Sequence, residues 1–586
     1  MIRTFQWFGA AALAMVCGLA AAEVADPVIT ASQIQGAKTG QLLADGYVVK
    51  AVTPAWTAVE CENRSSGEIL FVGADGKTTR IKKVLGTVGP HSDPTPVVKY
   101  PEAFWAQFLK QKDDFLGKDY LAKKQAENTD PTFAEIEKIV PPMLYPETTV
   151  GMNSIPHTVS VSASGAVSLD IGLISGVELS SKCHFFQSLK FLLDGREPTA
   201  QECEANINRR LLAGWLPATD FRYRMADRPV GWEQAVLMGN WQGRPGLFIR
   251  FRIVNRDATG RTVSFAIAPP EGGRFEQTPE GLTVFAPKTP FFHPKITFAK
   301  DPARTAEYLK TFSVPLWRVP FSTSVPCTLD GGKPSWKFEL AANGSRDLCL
   351  FYPGGQQGKL TRLPDRETET AFYAALREQY DAWNSYLANA AQITIPEPGM
   401  EDVFRATLCR ILTTAHGDKF EGGVHYYRGF WPFTHLHGVR MMTAAGLFDK
   451  SRASLAWFMD TRILPNGVFL FDGGQTRYQL FDIGEFLQAL SEYSLASGDT
   501  SLITDRQEVI GRLYKLLRTN RAQSLAKFPA GDPRRGMFLS SFENDVPEQD
   551  YYYTSDVHAW FGLRDYAAVL RRLAASEKGR GLEQAA

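Results

Sequence analysis

The residues of this sequence best suited to acid–base chemistry lie in one acidic stretch near its C-terminal end. Glu543, Asp545, Glu548 and Asp550 lie close together and are followed by three consecutive tyrosines. A carboxyl group that donates a proton needs a raised pKa, which burial or a neighbouring negative charge provides. The stretch therefore predicts an acid–base site or, as the alternative, a loop of solvated charges.

Four histidines form a second group with chemical potential: His416, His425, His435 and His437. Residues two apart on a helix point to different faces, so His435 and His437 are poorly placed to share a ligand. We therefore expect no metal and no cofactor. No Gly-x-Ser-x-Gly turn lies between a strand and a helix, and no glycine-rich phosphate loop is present.

Composition limits the class of partner. The 586 residues predict two to four domains. Lys and Arg total 64 against 63 for Asp and Glu, so no whole-chain charge attracts nucleic acid or an anionic membrane. Aromatic residues make up 12% of the chain; most belong in the core, and exposed ones suit stacking on sugars. The expected partner is therefore uncharged, and an oligo- or polysaccharide is a partner of this kind.

Residues 1–22 have the pattern of a secretory signal. Arg3 precedes an apolar run from Trp7 to Leu19, and three alanines precede Glu23 as a cleavage site. Val16 before Cys17 is a poor match to a lipoprotein signal. No later stretch reaches about 18 apolar residues, so no membrane span is expected. The sequence predicts a periplasmic or secreted protein.

Six cysteines follow the signal, an even number in an oxidising compartment. Cys183 with Cys203, and Cys327 with Cys349, are close enough in sequence for local disulfides. Spacing alone leaves the pairing open.

Periodicity divides the mature chain. Residues 23–150 are mixed and unassigned. From 151 to 355 apolar residues alternate with polar ones, which predicts an antiparallel β-sandwich. Ile249, Phe251 and Ile253, a turn at 257–260, and the alternating run from Val263 to Ile267 together predict a hairpin.

Helical periodicity follows the sandwich. Residues 356–398 predict a connecting helix and linker, and residues 399–586 predict about six amphipathic helices. Long connectors rich in aromatic and acidic residues alternate with short turns. In a ring of helical hairpins such connectors gather on one face and build the site. The stripes begin at Phe404, Leu436, Leu455, Ile483, Val509 and Trp560.

These motifs resemble the six-hairpin glycosidase superfamily over roughly residues 395–577. Three stretches carry the resemblance: Tyr426–Pro432, which leads through a helix to Ala445–Leu447 and then Asn466–Phe469; Asp482–Asp499; and Gly536–Asp550 with Tyr551–Asp556 and Gly562–Asp565. The resemblance implies a multidomain β + α protein, with an N-terminal antiparallel β-sandwich followed by an incomplete (α/α)6 helical toroid.

In such glycosidases one carboxyl group protonates the leaving oxygen and another activates water or attacks carbon. The resemblance implies Glu543 as the general acid, with Asp545, Glu548 and Asp550 as alternatives. It also implies substrate binding by Tyr427, Arg428, Trp431, Asp482, Tyr553 and Asp556. For Asp482 the alternative is a helix N-cap.

The sequence departs from this family in two ways. Phe433 and Thr434 stand where many relatives carry an Arg-Asp pair that binds sugar. About six helices are present where a closed toroid needs twelve, so we expect a fragment or a half-toroid that a second chain completes.

Two other functions remain open. One is a non-catalytic glycan-binding envelope protein. The other is a toroid polysaccharide lyase, in which Tyr426, Tyr427, His435 and His437 would replace the carboxyl groups.

Overall fold

Four antiparallel strands form the first sheet of the computed structural model. They are β1 (Tyr47–Val52), β2 (Trp56–Cys61), β3 (Gly67–Gly73) and β4 (Thr78–Lys83), paired in chain order. A short helix, α1 (Ala31–Ile34), precedes them, and α2 (Phe115–Glu127) follows. This sheet lies within the region that the sequence left unassigned.

The structure describes these residues: 29–61 without 30 and 35, 67–83, 115–130, 148–170 without 156, 186–199, 202–203, 207–241, 244–287 without 271, 272 and 280, 316–353, 365–423 without 397 and 398, 429–471, 476–543 and 546–575. Residues 1–22, predicted as a signal, and Cys183, Tyr426, Tyr427, Arg428 and Asp545 lie outside these ranges.

The prediction of antiparallel β-structure followed by helices is confirmed. The next strands are β5 (Thr148–Gly151), β6 (Thr158–Val161), β7 (Val167–Asp170), β8 (Phe186–Leu193), β9 (Ile207–Leu211), β10 (Thr219–Arg224), β11 (Val230–Trp241), β12 (Arg244–Asn255), β13 (Arg261–Ala268), β14 (Arg274–Thr278), β15 (Gly281–Pro287), β16 (Leu316–Thr323), β17 (Thr328–Asp330), β18 (Lys333–Leu340) and β19 (Ser345–Pro353).

Two sheets share these strands. One has the order β14-β15-β16-β19-β12-β11-β10-β9, and the other β17-β18-β13-β8-β7-β6-β5. Their inner faces pack together: the rings of Phe191 and Phe251 lie 4.6 Å apart, and those of Trp232 and Phe265 lie 6.0 Å apart. The result is a two-layer sandwich with one apolar core.

The predicted hairpin through 257–260 is wrong. β12 pairs with β11 and β19, whereas β13 pairs with β18 and β8 in the other sheet. The turn therefore crosses between the layers. Phe251 and Phe265 both point into the sandwich core, so the two apolar faces oppose each other instead of lying side by side.

A long helix, α3 (Asp365–Leu387), lies on the outer face of the larger sheet. Its Phe372, Tyr373 and Leu376 are buried against Phe248 and Phe351 of that sheet. The same cluster includes Phe71 of β3, so α3 joins the first sheet to the sandwich.

The helical region contains α4 (Met400–Thr413), α5 (Pro432–Ala444), α6 (Phe448–Thr461), α7 (Phe481–Ser497), α8 (Ser501–Asp505), α9 (Gln507–Lys527) and α10 (Tyr553–Ala574). Each of the six predicted apolar stripes falls on one of these helices. On α10 the predicted stripe is right in part: Leu570 is buried and Leu563 packs against the core, whereas Trp560 is 55% exposed. None of the helices that the structure describes has the length and apolar character needed to cross a bilayer.

Ser154 connects the sandwich to the helical region. Its backbone N–H donates to Leu412 O at 3.0 Å, and its carbonyl accepts from Gly417 N at 3.0 Å. Lys450 Nζ donates to Ser154 Oγ at 2.9 Å and also to the Gly417 carbonyl. These hydrogen bonds therefore attach the sandwich to the helical region.

Candidate functional site

Three long connectors enter three helices that pack side by side. Each connector contains a two-stranded hairpin: β20 (Ala415–His416) with β21 (Lys419–Phe420), β22 (Phe469–Leu470) with β23 (Thr476–Arg477), and β24 (Leu539–Glu543) with β25 (Val546–Tyr551). They lead into α5, α7 and α10 respectively. The rings of Trp431 and Phe471, 6.0 Å apart, bring the first two connectors together.

The third connector is anchored against the second. Ser541 N donates to Tyr478 O at 2.8 Å, and Leu480 N donates to Ser540 Oγ at 2.9 Å. Phe538 N donates to Asp556 Oδ2 at 3.3 Å. β24 is thus held between the start of α7 and the start of α10. The sequence predicted a long acidic and aromatic connector here, and within it β24 pairs with β25 as a hairpin.

Two glycines allow α7 and α10 to cross closely. A Cβ atom on Gly484 would lie 2.2 Å from the backbone carbonyl of His558, and one on Gly562 would lie 2.3 Å from Gly484 O. Backbone atoms cannot rotate aside, so only glycine fits. This close crossing brings the beginnings of the two helices together with the β24–β25 hairpin.

The four acid–base candidates all belong to this hairpin. Glu543 ends β24 and its backbone is paired with Val546, but its side chain lies outside what the structure describes, as does Asp545. Glu548 and Asp550 are exposed on β25. Of the four, Glu543 is the one on the anchored strand.

Asp482 lies near this hairpin but is buried, whereas the carboxylates of β25 are exposed. It is only 1% exposed, in the first turn of α7. Burial, and then the negative charge of Glu485, raise its pKa well above the usual value. The predicted N-cap role is wrong, because Leu480 occupies the N-cap position. Its burial also keeps the side chain from open contact with a sugar.

The other predicted binding residues have separate places. Trp431 is partly buried before α5, and Phe538 N donates to half-buried Asp556. Burial raises the pKa of Asp556. Tyr553 is 70% exposed at the start of α10, on the flank that faces away from α7. Tyr427 and Arg428 lie outside the described residues. The structure therefore brings Trp431, Asp482 and Asp556 to one end of the helices, with Tyr553 turned aside.

A charged cluster joins α5, α7 and α10, and the sequence pattern did not predict it. Glu485 accepts from His558 Nδ1 at 2.6 Å and from Arg440 Nη1 at 3.2 Å. Arg440 also donates twice to Glu492, at 2.8 Å each. Burial by itself raises the pKa of Glu485, but the hydrogen bond from His558 and the charge of Arg440 outweigh it and lower that pKa. Glu485 and Glu492 are seven residues apart on one helix, a spacing that places both on the same face.

His435 belongs to the core. It is 0% exposed; its Nδ1 accepts from Phe420 N at 3.1 Å, and its Nε2–H donates to Ser454 O at 3.2 Å. His437 is half-exposed, with Nε2 3.8 Å from Glu485. Within the part of the chain that the structure describes, no group of three His, Cys, Asp or Glu side chains is arranged to hold a metal ion.

The proposed Cys327–Cys349 disulfide is not formed. Cys349 is a buried thiol on the face of β19 that packs under α3, and burial raises its pKa well above the usual value. Cys327 packs against the core on the other side of that sheet. The pairing of Cys203 with Cys183 stays a prediction.

Phe433 and Thr434 replace a charged pair with an apolar surface. Phe433 is 42% exposed, and its ring lies edge-on to that of His437 at 5.0 Å. This position therefore presents an exposed aromatic ring where many relatives carry an Arg-Asp pair.

No family model and no curated protein matches this sequence. Solved structures do show likeness. A bacterial glucoamylase complexed with acarbose is 9% identical with a TM-score of 0.46, over 75% of this chain and 65% of that chain. A protein described as a kojibiose phosphorylase from the human microbiome is 9% identical with a TM-score of 0.38, over 75% and 66%. An alpha-mannosidase of glycosyl hydrolase family 92 from Bacteroides thetaiotaomicron is 10% identical with a TM-score of 0.26, over 75% and 71%.

This chain spans about two thirds of the length of the first two of these proteins. All three are members of the six-hairpin glycosidase superfamily, which is the family that the sequence motifs resemble. At TM-scores below 0.5, the likenesses assign no activity to this chain.

Proposed function

We propose that this chain is an exported carbohydrate-active protein that hydrolyses glycosidic bonds, with Glu543 as the general acid. Its helices would form an arc of an (α/α)6 toroid, with the long connectors around the substrate. A polymer of neutral sugars suits the balanced charge of the chain and the exposed aromatic ring of Phe433.

One observation carries the proposal: β24 is fixed between the starts of α7 and α10. The hydrogen bonds from Leu480 N to Ser540 and from Ser541 N to Tyr478 hold the strand that ends in Glu543. A proton donor must be held at a fixed distance from the leaving oxygen, and an anchored strand provides that better than a free loop.

The reaction needs a proton delivered to the leaving oxygen and a second carboxylate to activate water or attack carbon. Glu543 supplies the proton in this scheme. Glu485 and Glu492 are already engaged with His558 and Arg440, so neither is assigned the second role. A chain that completes the ring is one source of the second carboxylate.

Replacement of the acid tests the proposal. Glu543→Gln should lower kcat on a hydrolysed glycan by roughly 100- to 10,000-fold, because the amide cannot protonate the leaving oxygen. Glu548→Gln, on the exposed strand of the same hairpin, is the matched control and should retain activity. New reducing ends released from a glycan panel provide the measurement. Equal activity of the two variants would show that Glu543 is not the acid.

Glycan binding without turnover is the second candidate. It is favoured by the ion-paired state of Glu485 and Glu492 and by the burial of Asp482, which leave no open second carboxylate among the described residues of α7. In that case calorimetry would detect glycan binding, no reducing ends would appear, and Glu543→Gln would leave the Kd unchanged.

The same panel tests the lyase alternative. Elimination gives an unsaturated product that absorbs ultraviolet light, whereas hydrolysis does not. The burial of His435, with both ring nitrogens engaged, removes it from contact with a polymer. We therefore expect no such absorbance.

Export is part of the proposal. Expression of the full chain in a Gram-negative host should place the protein in the periplasm with Glu23 as its first residue. N-terminal sequencing of the periplasmic protein measures this, and an intact Met1 in the cytoplasm would contradict it.

A further inference from the structure

A partly enclosed pocket lies where α3 meets the helical region. Its volume is about 200 Å³, and its walls are the end of α3, the linker over residues 390–393 and one face of α4. Sites for drug-sized ligands usually enclose roughly 300–1,000 Å³, so this pocket suits a smaller molecule. All the residues that line it, as far as the structure describes them, precede the three long connectors in the chain.

The inner wall of the pocket is apolar and fixed. Leu387 of α3 is 4% exposed and Leu408 of α4 is 3% exposed; both belong to the core cluster against which Phe404 packs. The linker is also held in place, because Gln392 Nε2 donates to Ala390 O at 2.9 Å. Since these groups are ordered before a ligand arrives, binding costs little further loss of conformational entropy.

Arg405 of α4 brings an oriented cation to the pocket. Its guanidinium carbon lies 3.8 Å from the centre of the buried Trp215 ring, which covers one face of the guanidinium. Its Nη2 donates to Asn384 Oδ1 at 2.5 Å. A guanidinium has five N–H donors in one plane, and these two contacts fix that plane while they use one donor. Two parallel N–H groups are the usual partner of a carboxylate.

Glu401 brings the opposite charge to the same pocket. It precedes Arg405 by four residues on α4, a spacing at which acidic and basic side chains usually pair. In the described part of the chain these two side chains form no ion pair with each other, and Arg405 is turned to Asn384 and Trp215 instead. The pocket therefore presents a separate carboxylate and guanidinium beside an apolar wall.

We infer that this pocket binds a zwitterionic α-amino acid with an apolar side chain. The carboxylate of the ligand binds Arg405, its ammonium group binds Glu401, and its side chain packs against Leu387, Phe404 and Leu408. A plain carboxylate or a plain amine fits less well, because each leaves one of the two charges of the pocket without a partner. A neutral sugar neutralises neither charge. The inference does not depend on the proposed function.

Calorimetry on the full chain tests the inference with L-leucine as the probe. L-leucine should bind one site per chain. Isocaproate, which lacks its ammonium group, and isoamylamine, which lacks its carboxylate, should each bind at least 10-fold more weakly. Glucose should not displace L-leucine. Absence of L-leucine binding, equal affinity for all three compounds, or displacement by glucose would each overturn the inference.

Two variants test the two charges separately. Glu401→Gln should weaken binding of L-leucine at least 10-fold and leave the Kd of isocaproate unchanged, since that compound has no ammonium group. Arg405→Met should weaken L-leucine and isocaproate and leave the Kd of isoamylamine unchanged.

Arg410→Met is the matched control, because Arg410 is exposed on α4 and does not line the pocket. It should bind L-leucine as the wild type does. Glu401 is exposed, so Glu401→Gln should fold even if Arg405→Met does not. An unchanged Kd for L-leucine in Glu401→Gln would contradict the inference. None of these measurements reads glycan cleavage, so failure of this inference and failure of the hydrolase proposal are distinguishable.

Discussion

The buried environment of His435 keeps its imidazole ring neutral. Burial lowers its pKa to about 3, and its neutral ring accepts one backbone hydrogen bond and donates another. Its ring also stacks with that of Phe458 at 5.6 Å. The side chain therefore acts as a polar bridge inside the core, joining the β20–β21 connector to α6.

The lowered pKa predicts a pH dependence. Because unfolded histidine titrates near 6.5, the unfolded chain binds a proton that the folded chain does not between about pH 6.5 and 3. Above about pH 6.5 His435 is neutral in both states, so it does not make the free energy of unfolding depend on pH. As the pH falls from 6.5 toward 3, protonation of the unfolded chain lowers that free energy. Thermal unfolding between pH 8 and pH 4 would measure the effect.

His435→Phe should remove this part of the pH dependence. It should also cost roughly 2–4 kcal/mol at pH 8, because Phe420 N–H and Ser454 C=O lose their partner in the core. His437→Gln, half-exposed on the same helix, serves as the control and should change the free energy of unfolding little. A pH profile for His435→Phe identical to that of the wild type would contradict the assignment.

At the scale of elements, the crossing of α7 and α10 determines where the candidate hairpin sits. Gly484 faces the backbone of His558, and Gly562 faces the backbone of Gly484. The axes of packed helices usually lie 8–10 Å apart, at a distance that depends on the side chains between them. Helices that meet through backbone atoms can approach more closely than larger side chains would allow. The position of β24 depends on this approach, since it bonds to residues at the start of both helices.

Alanine at Gly484 should therefore separate the helices. We expect Gly484→Ala to lower the free energy of unfolding by roughly 3 kcal/mol or more, because no rotamer relieves a clash of Cβ with backbone. Gly511→Ala on α9 is the matched control, since nothing lies within 4 Å of its added Cβ. That variant should gain about 0.5–1 kcal/mol from helix propensity. Equal unfolding midpoints for the two variants would contradict the close crossing.

At the scale of the whole molecule, buried charges hold the first sheet to the sandwich. Glu60 of β2 is 0% exposed and accepts from Lys83 at 2.9 Å and Arg250 at 2.7 Å. Tyr373 of α3 donates to the same carboxylate at 3.1 Å. Lys83 also contacts Glu233 of the sandwich at 2.8 Å. Three parts of the fold therefore meet at one carboxylate.

Burial by itself raises the pKa of Glu60, but the charges of Arg250, Arg252 and Lys83 outweigh it and hold that pKa well below the usual range. The same balance, led by Lys83, lowers the pKa of Glu233 to about 2. For a carboxyl group with a lowered pKa, the stabilisation is complete above about pH 4.3 and is lost as pH falls through the folded value. Attachment of the first sheet should therefore persist through mildly acidic pH.

Removal of the charge at Glu60 should loosen this attachment. Glu60→Gln leaves buried cations without compensation, which costs about 3–5 kcal/mol. Hydrogen exchange should then accelerate in β1–β4 before it does in the sandwich. Asp75→Asn, at an exposed pair with Lys77 in the same sheet, should leave exchange unchanged. Unchanged protection of β1–β4 in Glu60→Gln would show that apolar packing alone holds the sheet.

The class of structure and the positions of the helices could be predicted from the amino-acid sequence, because apolar periodicity is a local property of the chain. The stripes that begin at Phe404, Leu436, Leu455, Ile483 and Val509 all became helices. The acidic stretch could also be recognised, since Glu543 and the other carboxylates are close together in the sequence.

The surfaces that face one another became known only from the folded chain. Periodicity showed that Phe251 and Phe265 point inward, but not that their strands belong to opposite sheets. It could not show that Cys349 lies beneath a helix, that Asp482 is buried, or that Trp560 faces outward. These outcomes depend on contacts between residues far apart in sequence, and the free energy of those contacts, not local propensity, selects the face that is buried.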